Sequence, residues 1–356
     1  MQFDLNEIVE WFLKNGKGEI IPVKTGLINN TWKVTPNGSS QHYILQQINR
    51  YVFNQPSDLQ HNYHLIHTEL KNTYSRFALP SIVNTLDNRD VLNLHGEYFR
   101  MFTFLENSLT IDKVSSPEQA YTVANSFAIF TKDLVNINTS RLKVVLPQFH
   151  NLNFRLQQLQ AAIKANPANR LKDTQVLLDI INRFEPLIRF YDSVLKNIGS
   201  FKQYVLHHDA KISNIIFDAT TGDVKTPIDL DTTMPGYFFS DMGDMVRSVV
   251  PNMNEDHPSY SDLAIQPMMY EAIREGYLEQ MKNVFTPPEL QHIDYAGLLL
   301  ALMQGVRFLT DYLMGDQYYK VSHHKHNFER AANQFELLVR LEQFLIIKYQ
   351  IKACSK

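Results

Sequence analysis

The segment YVLHHDAKISNIIFDATTGDVKTPIDLDTTMPGYFFSDMGD, residues 204–244, breaks the periodicity of the chain around it. Its apolar runs are short: Tyr204 to Leu206, Ile215 to Phe217, and Pro227 with Ile228. Each is too brief for a helix face and reads as a strand or strand end, with Gly222-Asp223 as a turn between the last two. Polar groups sit at the ends of these runs. Asp209 comes just after the first, Asn214 five positions later at the head of the second, and Asp229 closes the third. An isolated Asp or Asn in a turn usually serves local turn or capping chemistry. Two carboxylates and an amide converging in one loop system admit a chemical reading as well.

Outward from this segment the chain divides in two. On the C-terminal side, and from residue 115 on the N-terminal side, the pattern is helical: expected helices span about 151–164, 174–197, 266–282, 288–314 and 325–350. Ser116-Pro117-Glu118-Gln119 and Thr286-Pro287-Pro288-Glu289 read as capping boxes with proline in the first turn. The first hundred residues are strand-rich. After a short amphipathic helix with Ile8, Trp11 and Phe12 on one face, Thr31 to Thr35 and His42 to Gln46 form a hairpin around Pro36-Asn37-Gly38-Ser39-Ser40. Residues 57–76 read as a helix, and Tyr98 to Phe104 as a further strand. Asp241 and Asp244 are expected to open a helix at 241–250, capping its free amides, with bracing of the catalytic loop as the alternative role. The fold class expected is α+β in two lobes: a β-rich unit at 1–104, a connecting hinge at 105–108, and a helical unit at 109–356 that carries the 204–244 loops.

Composition narrows the function classes. The 356 residues carry 34 basic and 37 acidic side chains, a net charge of −3, which offers no electrostatic footprint for nucleic acid. The single cysteine, Cys354, excludes an internal disulfide framework. Acidic residues at Asp4, Glu7 and Glu10 do not suit a signal peptide. The longest apolar stretch, Tyr295 to Val306, is interrupted by Gln304 and falls short of the roughly 18 residues a membrane span needs. The expectation is a cytoplasmic chain with neither membrane nor nucleic-acid partner, and a monomer is favoured.

The spacing H-x-D-x-x-x-x-N, followed fifteen residues later by Asp229, has the order of the catalytic and metal loops of phosphoryl-transfer enzymes. Asn214 and Asp229 supply the hard oxygens that Mg²⁺ accepts alongside phosphate oxygens. Asp209 is then free to receive a hydroxyl proton. Two adjacent histidines on an extended segment point opposite ways, so a metal site at His207-His208 is disfavoured, and His207 reads as a brace for the loop. Asp231, two residues past Asp229, points the same way if the segment is extended, toward either metal or substrate.

The segments HHDAKISN, IDLDTTMPG and SDMGDMVR resemble the aminoglycoside phosphotransferase/choline kinase superfamily. Together with YILQQINRYVF (43–53), LPQFHN (146–151), GVRFLTDYLMGDQYY (305–319) and HNFERAANQFEL (326–337), they are most similar to the N-acetylhexosamine 1-kinases. The resemblance covers nearly the whole chain. It implies a protein-kinase-like fold, ATP with Mg²⁺, and phosphorylation of the anomeric hydroxyl of N-acetylglucosamine or N-acetylgalactosamine. It further implies Asp209 as base, Asn214 and Asp229 as metal ligands, and Arg307 and Tyr318 as sugar-binding residues, with Asp231 a third substrate candidate. Read without it, Arg307 pairs with Asp311 four residues on, and Tyr318 is as readily a core aromatic.

The nucleotide end departs from the protein-kinase pattern. Gln46 stands where those enzymes place a lysine on the third strand, and Arg50 or Lys33 is the expected substitute cation. Gly26 and Asn29 lie where a glycine-rich phosphate loop belongs, with a single glycine in the run. Phe104 and Glu106 mark the hinge expected to meet adenine. Kinases for another sugar, an aminoglycoside or choline remain alternatives, as does a binding-only pseudokinase.

Overall fold

The computed structural model describes residues 3–23 and 28–354. Gly26, expected in the phosphate loop, lies outside the described residues. The chain forms two compact units. The first comprises the residues up to Thr110 together with Asn136–Pro147 and Asn214–Met234. The second comprises Ile111–Val135, Gln148–Ser213 and the chain from Pro235 onward.

The first unit opens with α1 (Leu5–Glu10), β1 (Gly18–Val23), β2 (Asn30–Pro36), β3 (Tyr43–Ile48) and α2 (Pro56–Asn72). β4 (Ile82–Val83), β5 (Leu92–Leu94), β6 (Glu97–Thr103) and β7 (Ser108–Leu109) follow. β1, β2, β3, β6 and β4 make an antiparallel sheet in that order, with β5 also paired to β6. The expected hairpin is β2 and β3, and Gly38 takes the left-handed conformation (φ 74°) that its turn requires. Val34, Leu45, Phe99 and Met101 point to one face and pack with Ile8, Val9, Phe12 and Leu92 as its core. Trp11 does not join them. Helix α1 stops at Glu10, so Val9 takes the inward position and Trp11 is 43% exposed.

Beyond β8 (Gln203–Leu206), a strand of the second unit, the chain returns to the first with β9 (Ile215–Asp218) and β10 (Val224–Pro227). β9 lies between β10 and β7 in a separate three-stranded sheet. These pairings explain why packing assigns Asn214–Met234 to the first unit, although the expected division by chain position put that stretch in the second.

The second unit is helical: α3 (Pro117–Asp133), α4 (Leu152–Ala165), α5 (Gln175–Arg183), α6 (Glu185–Lys196), then α7 (Phe239–Val249), α8 (Pro267–Met281), α9 (Pro287–Gln291), α10 (Tyr295–Met314) and α11 (His326–Tyr349). β8 pairs with β11 (Met234–Tyr237). Two expected helices are broken. The run 174–197 divides at Phe184 because Pro186 cannot donate to the preceding turn, and it starts α6 instead. The run 288–314 divides at His292, beyond which the Asp294 carboxylate is drawn to Tyr270 and Arg274. The Thr286 box closes as expected. At Ser116 only half forms, since the Gln119 side chain accepts from Ser115. Helix α10 buries Leu298, Leu299, Leu302, Leu309 and Leu313 completely. Each such side chain contributes about 1.5–3 kcal/mol relative to exposure. Among the described residues no helix is long and apolar enough to cross a membrane.

Candidate active site

In the first unit, the backbone N–H of Ile228 donates to the Asn214 carbonyl at 2.9 Å, so the head of β9 and the end of β10 lie side by side. That single bond brings the Asn214 and Asp229 positions together. Asp229 has φ 60° and ψ 54°, the left-handed region that non-glycine residues seldom enter, and it opens a 3₁₀ turn over Leu230–Thr232. Such strain persists where surrounding structure imposes it, often at functional positions. One carboxylate and one amide fit Mg²⁺, which commonly takes one or two protein oxygens and completes its shell with phosphate and water. Among the described residues no cluster of three or more His, Cys, Asp or Glu side chains offers a closed metal cage.

Asp231 does not extend alongside Asp229. The 3₁₀ turn re-aims it, and its buried carboxylate lies 2.7 Å from Arg100 Nη2 and accepts from Asn29 Nδ2 at 2.7 Å. Asn29 Oδ1 in turn accepts from the Asn49 N–H at 3.0 Å. Arg100, on β6, is the register partner of Gln46 on β3. It donates to Gln46 Oε1 through Nε (3.0 Å) and Nη2 (2.8 Å), and to Gln60 Oε1 on α2 at 3.2 Å. Gln46 also donates to Thr31 Oγ1. The cation beside Gln46 is therefore Arg100, not Arg50 or Lys33. Arg50 faces Glu97 at the surface, and Lys33 lies over the Phe104 ring at 4.3 Å. A sequence signal for Arg100 existed in an arginine inside the apolar strand Tyr98 to Phe104, where burial demands a partner.

The segment expected to be the hinge is held on both sides. The Phe104 N–H donates to the His42 carbonyl, and Glu106 is paired with His42 Nδ1 at 2.6 Å, which holds its carboxyl below the ordinary range. Lys225 Nζ donates to the Glu106 carbonyl at 2.9 Å, and Asn107 reaches Asp218.

In the second unit, His207, His208 and Asp209 follow β8. His208 is left-handed (φ 65°), and both histidine N–H groups donate to one carboxylate, Asp241, at 2.9 and 2.7 Å. Of the two roles expected for Asp241, helix cap and brace of the loop, it takes the second. Because α7 starts earlier, at Phe239, its side chain reaches back to the catalytic-type loop instead. Burial pushes its pKa up to about 6 despite the opposing His207 and the two N–H donors. Asp244 binds Arg247 rather than free amides. His207 packs edge-on against Phe127, and His208 Nδ1 meets Ser240 Oγ at 2.6 Å, with His150 on the same hydroxyl. Asp209 extends from this scaffold to within 2.8 Å of Lys211 Nζ and remains one-third exposed. Gly236 lies under the His208 ring, where a Cβ would come within 2.4 Å of Cε1. We expect Gly236→Ala to cost about 1–3 kcal/mol, read as a lower urea midpoint, because the ring must leave its Ser240 partner to make room.

Arg307, on α10, donates to Gln304 and lies over the rings of Phe149 (5.5 Å) and Tyr319 (5.7 Å). The alternative pair with Asp311 is not among the ion pairs of the described residues. Asp311 instead accepts from the backbone N–H groups of Gln317, Tyr318 and Tyr319, shaping that loop. Tyr318 is 73% exposed, not a core aromatic, and meets Tyr319 edge-on. Arg155, which sequence reasoning missed, donates to the Phe149 carbonyl at 3.0 Å. Burial and then Arg307 lower its pKa to about 10. Among the described residues, neither Arg155 nor Arg307 has a carboxylate partner, and Arg155 Nε is buried without an acceptor.

A family model described as "APH: Phosphotransferase enzyme family" matches residues 19–291. Solved structures with similar folds include a spectinomycin phosphotransferase in complex with ADP and spectinomycin, at TM-score 0.58 and 11% identity, covering 95% of this chain and 98% of that one. An aminoglycoside phosphotransferase from Alicyclobacillus acidocaldarius matches at TM-score 0.57 and 11% identity, with 95% of each chain covered. A choline kinase from Cryptosporidium parvum matches at 0.56 and 14%, with 98% of each covered. At these identities the likeness establishes the fold.

Proposed function

Because the chain belongs to the phosphotransferase enzyme family, we propose that it moves the γ-phosphoryl group of ATP to the anomeric hydroxyl of an N-acetylhexosamine, releasing ADP and the sugar 1-phosphate. Asp209 orients that hydroxyl and receives its proton on a carboxylate oxygen. Since the transition state is loose, orientation precedes proton transfer and an ordinary carboxylate suffices. Asn214 and Asp229 would hold Mg²⁺, whose charge offsets that of the phosphate oxygens. The hinge at Phe104 and Glu106 receives the adenine, and Asn29 lies at the nucleotide end. Arg307 and Tyr318 receive the sugar.

One observation favours a neutral hydroxylated acceptor over the cationic acceptors of aminoglycoside and choline kinases. Arg155 and Arg307 form a positively charged pair with no carboxylate partner among the described residues, set among Phe149, Tyr318 and Tyr319. A cationic acceptor at Arg307 would meet like charge at close range. A pyranose suits the same surroundings, with hydroxyl and acetamide oxygens accepting from guanidinium N–H groups while C–H faces lie on the aromatic rings.

The test is ADP release from ATP and Mg²⁺ over a panel of N-acetylhexosamines, other free sugars, aminoglycosides and choline. Turnover with the first group alone is the expected result. Turnover confined to the cationic compounds overturns the acceptor assignment, and none with any acceptor favours a binding-only protein. In the same assay Arg307→Ala should raise KM for the sugar about 10–100-fold through loss of charge-assisted hydrogen bonds, with KM for ATP unchanged. An unchanged sugar KM removes Arg307 from the site.

A further inference from the structure

Protein kinases link a third-strand lysine to a glutamate on the following helix, and both must be in place for transfer. Here the third strand and the helix that follows it present amides instead. Gln46 is on β3 and Gln60 on α2, and each accepts from Arg100. The cation has moved across the sheet to β6, and its acid has moved to the turn that Asp229 opens. We propose that Arg100 and Asp231 are a positioning pair that holds the Asp229 turn and the Asn29 loop in the geometry that binds metal and nucleotide. The inference rests on the phosphotransferase reading above.

Three observations carry it. Arg100 has four of its five N–H donors engaged by Gln46, Gln60 and Asp231, so it is built as a fixed strut rather than a free phosphate ligand. Both oxygens of Asp231 face it, at 2.7 and 2.8 Å, and the two side chains are 7% and 3% exposed. The same carboxylate takes the Asn29 amide, so one group joins the central sheet, the segment after β1 and the metal-type turn. Asp229 occupies a left-handed conformation two residues away, and the carbonyl of Thr233 on the far side of the turn is held by Asn62 at 3.1 Å. Rotation of the turn would break the Arg100 and Asn29 bonds together. Asp231 thus acts through Asp229 and is not itself offered to metal or sugar.

The experiment measures binding of Mn²⁺, as a paramagnetic substitute for Mg²⁺, in the presence of ADP, by the loss of the free Mn²⁺ resonance. Wild type, Asp229→Asn, Asp231→Asn and the double variant Arg100→Met/Asp231→Leu are compared, with thermal melting as the fold control. Outer groups that orient ligands typically govern about 10–100-fold in metal affinity. Asp231→Asn is expected to lose that much. The double variant replaces the buried ion pair by apolar side chains but leaves the Gln46, Gln60 and Asn29 amides without these partners, so it should still fold cooperatively while melting below wild type, and binding is measured well below that midpoint. Its Mn²⁺·ADP affinity should nevertheless stay 10–100-fold down. Wild-type affinity in the double variant overturns the proposal, because packing alone would then suffice. Failure of wild type itself to retain Mn²⁺ with ADP overturns the phosphotransferase reading instead, and the pair with it.

Discussion

Asp209→Asn should lower kcat by about 10²–10⁴-fold, the usual weight of a positioned acid or base, with KM for ATP little changed. The amide keeps the size of the carboxylate but cannot receive the hydroxyl proton, and it presents N–H where an acceptor is needed. The fold should survive. Asp209 is one-third exposed, and its ion pair with Lys211 is of the kind worth at most about 1 kcal/mol. Steady-state ADP release checks the rate, and an unchanged melting temperature shows that the loss is chemical. Wild-type turnover in this variant would remove Asp209 from the mechanism.

Asp241→Ala should be the most damaging substitution to stability, and it should lower the rate as well. It leaves the His207 and His208 N–H groups buried without an acceptor, at about 1–3 kcal/mol each. With its backbone released, the loop that aims Asp209 shifts, and kcat should fall about 10–100-fold, as misplacement of a catalytic group does. Asp241→Asn retains one oxygen acceptor and should lose less on both counts.

The pH dependence gives an independent check. The Asp241 pKa is raised to about 6 in the folded chain, mainly by burial, so the native state holds a proton that the unfolded chain has released. Its protonation therefore favours folding fully below about pH 4, and that contribution is lost as pH rises through 6, amounting to about 3 kcal/mol. Urea midpoints between pH 4 and 7 should show this decline in wild type relative to Asp241→Asn. Parallel profiles would mean that Asp241 titrates normally.

Short-range features were legible in the sequence. The turn of the β2 and β3 hairpin, the breaks around 204–244 and the Thr286 capping box depend on residues within a few positions of one another, where dihedral preference and spacing decide, and the order Asp209, Asn214, Asp229 is read within that one interrupted stretch. Where local signals failed, a neighbour distant in sequence had prevailed. Asp241 has the position of a helix-opening acid, yet two N–H groups more than thirty residues earlier claim it. Asp311 has the spacing to pair with Arg307, yet three N–H groups of the following loop are the better partners, because a carboxylate can satisfy several backbone donors at once.

By itself the sequence determined the fold class and the phosphotransferase family, and it offered Asp209, Asn214 and Asp229 as the residues proposed to carry the chemistry, since these reside in residue type and covalent spacing. The tertiary structure alone decided which charges are neutralised. It set Arg100 against Asp231 across 131 positions and left Arg155 and Arg307 without acidic partners among the described residues. Burial makes each unpaired charge costly, so partners are chosen by packing and desolvation, which no local pattern records.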